Sequence, residues 1–207
     1  KASTTYDRVQ DFQNFNLGLP AEDKEATLLR GDFEGIFIND LPGTGVSYVM
    51  GVDVGNIYHF MVGAVDAWGD IFVVHKEEVP MGIAKTRYFE LKQKYRVVCT
   101  VIDSGPHAET VMSIQERDPS CYASVYMRSK SILTHTVVDK DENPDAGQAF
   151  VRQVNVNRNR ALDAYMNFIR DGHLRVKSCP LDELFIQHHT DMKRVKVFDN
   201  DSGDMAY

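Results

Sequence analysis

Two aspartates close two apolar runs in this chain. Asp53 ends Ser47-Tyr-Val-Met-Gly-Val-Asp-Val-Gly55, and Asp103 ends Val97-Val-Cys-Thr-Val-Ile-Asp-Ser-Gly105. β-Branched and aromatic side chains favour a pleated, buried strand, and Gly55 and Gly105 stop each run. A carboxylate at the tip of a buried strand is expensive unless something pairs with it. Two hard oxygen ligands on neighbouring strands suit Mg²⁺ or Mn²⁺, ions that keep waters and bind phosphate oxygens. Two such ions roughly 3.5–4 Å apart activate an attacking water and stabilise a leaving oxygen, the chemistry of phosphodiester hydrolysis. The plain alternative is that each aspartate caps the turn behind it. One aspartate alone would favour that alternative; two of them, in a β-meander and then a βα order, favour the metal.

Other candidates are weaker. His188, His189 and Asp191 invite a metal, but adjacent histidines on a helix point about 100° apart, so this reads as a polar helix end. His107 belongs to the loop before a helix. Ser104 with His107 lacks the Gly-x-Ser-x-Gly elbow of acyl transfer. No Gly-x-x-x-x-Gly-Lys-[Ser/Thr] is present, and Gly51-x-Asp-x-Gly55 is too short for a dinucleotide fingerprint. The three cysteines, Cys99, Cys121 and Cys179, have no metal-type spacing and read as thiols of a reducing, intracellular setting.

The net charge of −7 argues mildly against a general nucleic-acid coat. Basic residues nevertheless gather at Lys85, Arg87, Lys92, Lys94 and Arg96, and at Arg152, Arg158 and Arg160; each patch alone is first of all a solvated face. With 43% hydrophobic residues in 207, a substantial core is available, and no apolar run reaches the roughly 18 residues of a membrane span. No signal peptide is visible.

The elements that must position the acids follow from the pattern. Residues 1–46 are mixed and read as a connecting segment packed on the domain, with weak helices at Tyr6–Phe15 and Glu22–Arg30. Tyr48–Val54, Tyr58–Asp66 and Ile71–Glu77 read as an antiparallel meander, its second turn being Ala67-Trp-Gly-Asp70. A helix over 84–95 leads to a central strand, Val97–Ile102, apolar without alternation. A helix over Glu109–Glu116 and a strand over Tyr122–Met127 come next. Thr134–Val138 and Ala149–Val156 make a long projecting β-hairpin. Helices over Arg160–Arg170 and Leu181–His189, and a β-type run Arg194–Phe198, complete the chain. The expected fold is α/β: a mixed sheet flanked by helices, with Asp53 and Asp103 on neighbouring parallel strands.

In this order and spacing the chain resembles the nuclease domain of large terminase subunits, the DNA-packaging motors of tailed bacteriophages. Phe15-Asn-Leu-Gly-Leu-Pro20 resembles the segment leading from the motor's ATPase into its nuclease. Gly51-Val-Asp-Val-Gly55 resembles the first catalytic strand, and Val101-Ile-Asp-Ser-Gly105 the strand of the second acid. Leu162–Arg170 and the helix before Arg194-Val-Lys-Val fit the later part of that domain. The resemblance implies an RNase H-like fold over residues 47–207 and two-metal hydrolysis of double-stranded DNA with Mg²⁺ or Mn²⁺, Asp53 bridging both ions and Asp103 holding one. It further implies cutting of concatemeric viral DNA in the host cytoplasm, a small terminase subunit and the capsid portal as partners, and transient docking on the procapsid. It also implies an isolated fragment, lacking the ATPase domain and truncated at its C-terminus, whose third acid falls beyond Tyr207, with Asp204 as a provisional stand-in. The hairpin over 131–157 then resembles an element beside the site that guides DNA. Three rivals stand beside this reading: an actin-like or chaperone-like ATPase fragment, since Asp-Val-Gly after a strand also resembles a phosphate loop; a binding module in which both aspartates are caps; and another RNase H-like enzyme, such as a junction resolvase or transposase.

Overall fold

The apolar runs fold into a nine-stranded sheet with the order β1-β9-β4-β3-β2-β5-β6-β8-β7, in a computed structural model that describes residues 27–40, 45–127, 131–137, 152–191, 197–198 and 205–206. Its strands are β1 (Phe37–Ile38), β2 (Ser47–Asp53), β3 (Ile57–Val65), β4 (Ile71–Pro80), β5 (Cys99–Asp103), β6 (Cys121–Tyr126), β7 (Leu133–Val137), β8 (Arg152–Val156) and β9 (Leu174–Lys177). Strands β2, β3 and β4 form the expected meander. Its second turn is closed by the Asp66 carboxylate, which accepts from the amides of Trp68 (2.9 Å) and Asp70 (3.0 Å), with Gly69 at φ +91°. Strands β2, β5, β6 and β8 run parallel to one another.

Helix α1 (Met81–Tyr95) carries the chain from β4 to β5, and α2 (Ala108–Gln115) from β5 to β6. Helix α3 (Arg158–Arg170) returns from β8 to β9, which pairs in parallel with β4 at the far side of the sheet. The first two crossovers travel one way along the sheet and the third travels back. Right-handed crossovers therefore put α1 and α2 on one face and α3 on the other. The packing agrees. Ala84, Tyr88 and Leu91 of α1 and Val111 and Ile114 of α2 join Met50, Val52, Ile102, Cys121 and Ala123 in one core cluster. Met166 and Ile169 of α3 are buried outside that cluster, as are Val73, Val154, Leu174 and Val176.

The main core also encloses a polar network. Asp118, buried at the end of the α2–β6 turn, accepts from the Tyr88 hydroxyl (2.6 Å) and from the Ser120 amide and hydroxyl, and its Oδ2 lies 2.7 Å from Lys92 Nζ. Arg152 of β8 donates to the carbonyls of Gln115, Asp118 and Cys121. These bonds satisfy the turn's buried polar groups and tie α1, α2, β6 and β8 together.

Several elements differ from the sequence reading. Strand β4 extends to Pro80, because its charged end pairs with β3 and Glu77 receives Arg87 at 2.6 and 2.8 Å. Helix α1 begins at Met81 and α3 at Arg158, earlier than their apolar periodicity indicates. The short strands β1 and β9 were not foreseen. Strands β7 and β8 pair antiparallel as the expected hairpin, and β8 also joins β6, so the base of the hairpin widens the main sheet. The stretch between these strands, 138–151, lies outside the described residues, as does most of the segment 1–46.

The chain divides into two compact units, and all nine strands belong to Gly35–Leu181. In the second unit, Lys1–Glu34 with Asp182–Tyr207, a 3-10 turn at Arg30–Phe33 meets helix α4 (Asp182–Thr190). There Arg30 pairs with both carboxylate oxygens of Glu183 at 2.7 and 2.9 Å, and the rings of Phe33 and Phe185 meet edge to face at 6.1 Å. Two short strands, β10 (Val197–Phe198) and β11 (Met205–Ala206), pair antiparallel in the same unit.

Candidate active site

The site is built at the C-terminal end of the parallel strands. Val52 and Ile102 are register partners on β2 and β5, so Asp53 and Asp103 follow them side by side. Side chains alternate along a strand. Met50, Val52 and Ile102 enter the core under α1 and α2, so Gly51, Asp53, Val101 and Asp103 face the opposite side, the side to which α3 returns. That face is open near the acids: Gly51 and Asp53 are exposed and Val101 is 37% exposed.

The next strands extend the same row. Asp103 is in register with Ser124 of β6, and Tyr126 lies two residues further along β6 on that face. Tyr126 is in register with Val156 of β8, and Arg158, the first residue of α3, follows two residues later. Its guanidinium carbon lies 5.4 Å from the centre of the Tyr126 ring. Asp53, Asp103, Tyr126 and Arg158 thus stand at the ends of four consecutive parallel strands.

The electrostatics follow from this row. Burial pushes the Asp103 carboxyl above its ordinary range. The backbone at Gly105 pulls it back, the charge of Asp53 pushes it up again, and the backbone at Ser104 and the charge of Arg158 offset part of the push. The Tyr126 phenol is raised as well, by burial first, then by Asp103, with Arg158 opposing and Asp53 adding. At Gly105 the space for a side chain is tight: a Cβ there would lie 3.0 Å from Asp103 Oδ2 and 3.5 Å from the Val54 carbonyl oxygen. A methyl group added there would push the Asp103 carboxylate by a few tenths of an ångström.

Two water-accessible carboxylates, side by side, suit a hydrated divalent ion that takes few protein ligands. Among the described residues, no group of three His, Cys, Asp or Glu is placed to hold a metal. Asp204 lies outside the described residues. His107 sits at the N-cap position of α2 with its ring stacked on Tyr58 at 6.1 Å. His189 directs Nδ1 to the Phe185 carbonyl at 2.6 Å and packs on the Phe185 ring. His107 does not stand in the row of acids. Tyr126 and Arg158 were absent from the sequence-derived site. The available signal was an arginine in the first turn of a helix, where a cation is disfavoured.

No protein-family model and no curated protein matches the chain. Solved structures do. The large terminase of a thermophilic bacteriophage is similar over 97% of this chain and 46% of its own, with a TM-score of 0.51 and 13% identity. The large terminase nuclease of the thermophilic phage G20c gives 0.49 over 86% of this chain and 88% of that one, also at 13% identity. The human cytomegalovirus terminase nuclease domain, from a manganese-soaked crystal, gives 0.45 over 82% and 86% at 9% identity. The chain spans about half the length of the first of these, the whole large terminase. At such identities the likeness is one of fold. The chain has an RNase H-like fold, a mixed nine-stranded sheet with helices on its faces, similar in fold to the large terminase. Among the described residues, no helix is long and apolar enough to cross a membrane.

Proposed function

We propose that this chain is the nuclease part of a DNA-packaging motor, a metal-dependent endonuclease that cuts double-stranded DNA during viral genome packaging. The observation that carries the reading is the adjacency of Asp53 and Asp103 at the ends of neighbouring parallel strands, on an open face of the sheet. The neighbours' names, large terminase and terminase nuclease, suit the same reading.

Asp53 and Asp103 would hold Mg²⁺ or Mn²⁺. When bound, such ions lower the pKa of an attacking water and offset the charge on the leaving oxygen. The protein's own residues prepare that site. The backbone at Gly105 and Ser104 favours the charged form of the Asp103 carboxylate. Asp53, more exposed, leaves room for a phosphate at the C-terminal end of the parallel strands. A third acid, with Asp204 as its stand-in, completes the site in this proposal, and the hairpin tip between β7 and β8 guides DNA. A small terminase subunit and the capsid portal are its partners, met in the host cytoplasm on the procapsid. Residues 1–46 connect the nuclease, 47–207, to a motor.

The test is nicking and linearisation of a supercoiled plasmid in Mn²⁺, with EDTA and Asp53→Asn as controls. Cleavage by the wild type that both controls abolish is the expected result. Cleavage that survives Asp53→Asn, or a wild type inert at micromolar enzyme, would overturn the reading.

A further inference from the structure

Helix α3 opens with a local contradiction. The N-terminal end of a helix carries partial positive charge and favours acidic residues. In α3 the first turn holds no acid, and Arg158 and Arg160 stand there instead. Asn157 supplies the ordinary cap, its side chain accepting from the Arg160 amide at 3.1 Å. The helix therefore starts where its cap dictates and still places a guanidinium at its positive end. Residues that break a local rule are where function is to be sought.

The surroundings of Arg158 give the contradiction a direction. It follows β8 on the face that carries both acids, and it lies over the ring of Tyr126, which is in line with Asp103 through the register of β5, β6 and β8. An aromatic ring holds a guanidinium by cation–π attraction while leaving its fork of N–H groups free in the ring's plane. That fork matches two oxygens of a phosphate and stays charged at every working pH. A cation beside two carboxylates has two roles open to it: it offsets their charge in the free protein, and it meets an anion brought to them.

We propose that Arg158, shelved on Tyr126, is the phosphate-contacting residue of the Asp53–Asp103 site. It grips the non-bridging oxygens of the phosphodiester that the acids address. This inference rests on the nuclease reading above and adds to it a side chain that binds the substrate directly.

The test compares the wild type with Arg158→Gln, Arg158→Lys and Tyr126→Leu in three measurements: plasmid nicking in Mn²⁺, Mn²⁺ titration by calorimetry without DNA, and thermal unfolding in EDTA. Loss of one charged donor to a reacting oxyanion typically slows a reaction by about 10²-fold. Arg158→Gln is expected to nick about 10²-fold more slowly and to bind Mn²⁺ at least as tightly as the wild type, because a competing positive charge is gone. Its unfolding temperature should change little, because the lost offset to the acids and the lost ring contact oppose the relief of a cation at the positive end of the helix. Arg158→Lys keeps the charge without the fork and should recover part of the rate. Tyr126→Leu removes the shelf and should lose a smaller factor than Arg158→Gln. Arg158→Gln that nicks at the wild-type rate would overturn the inference and leave the nuclease reading standing. Slower nicking accompanied by weaker Mn²⁺ binding and a lower unfolding temperature would also overturn it, in favour of a structural arginine. A wild type that does not nick at all would remove the nuclease reading and this inference with it.

Discussion

Replacing Asp103 by asparagine should make the metal-free protein more stable. In the folded chain the Asp103 carboxylate is half-buried and faces the charge of Asp53 on the adjacent strand. Neighbouring strands lie about 4.8 Å apart, which sets the scale for two side chains leaving register-adjacent positions. Taking about 5 Å between charges and an effective dielectric of about 40–60 for a site open to water, their repulsion is about 1–2 kcal/mol. Asparagine removes that repulsion and the cost of burying the charge. For a chain of this length 1 kcal/mol moves the midpoint by about 2–4 °C, so Asp103→Asn should unfold roughly 2–8 °C higher than wild type in EDTA. The pH dependence has a definite sign. A carboxyl raised in the fold binds its proton more tightly there than in the unfolded chain, so it favours the fold below 3.8 and loses that contribution as pH rises through its folded value. The advantage of Asp103→Asn should therefore be largest near neutrality and shrink as the pH falls towards 3.8. Saturating Mn²⁺ should reverse the ranking, since an ion at a hundred times its Kd stabilises the wild type by about 2.7 kcal/mol and finds one ligand fewer in the variant. Differential scanning fluorimetry in EDTA and in Mn²⁺ reads both effects. An Asp103→Asn protein with native circular dichroism that unfolds at or below the wild-type temperature in EDTA would refute the reasoning.

Two further variants probe what holds the site. Lys92→Met should cost about 3–5 kcal/mol, because it leaves the buried Asp118 charge without its cation. Burial pushes the Asp118 carboxyl up, but Lys92, the Tyr88 hydroxyl and Ser120 outweigh it and hold it below its ordinary value. Its contribution is thus present above 3.8 and lost as the pH falls through the folded value, so denaturant titrations should show the Lys92→Met deficit narrowing in acid. Gly105→Ala should cost only about 1 kcal/mol in EDTA, the scale of an off-rotamer shift. It should also reduce the Mn²⁺-dependent rise in melting temperature, because its Cβ would crowd Asp103 Oδ2 at 3.0 Å.

The heart of the site was legible in the sequence because its signals are local. Apolar runs ending in Asp-Val-Gly and Asp-Ser-Gly mark strands, and a three-stranded meander followed by a crossover helix makes the first and the post-helix strand parallel. What was missed depends on distant partners. Leu174-Arg-Val-Lys177 is short and half charged, and it is a strand only because β4 and β1 flank it. The buried Tyr88–Asp118 contact joins residues thirty apart, so no window along the chain contains both. Arg158 was hidden for the opposite reason: its local context argues against a cation at a helix start, and only the register of β6 and β8 brings it into line with the acids. Asp204 falls outside the described residues, and its part in the site remains a proposal.

The late arrival of β9 has a consequence for synthesis. Strand β4 is complete at Pro80, but the partner on its outer edge ends at Lys177, about a hundred residues later. At roughly 5–20 residues per second, a nascent chain carries that edge unpaired for about 5–20 s. Strand β9 finally covers only Ile71, Phe72 and Val73. The remainder of the edge runs through His75, Lys76, Glu77 and Glu78, charges of the kind that discourage pairing between chains. The apolar three-residue stretch is therefore a place where two growing copies of this protein would adhere, and a chain stopped before Leu174 would keep it exposed.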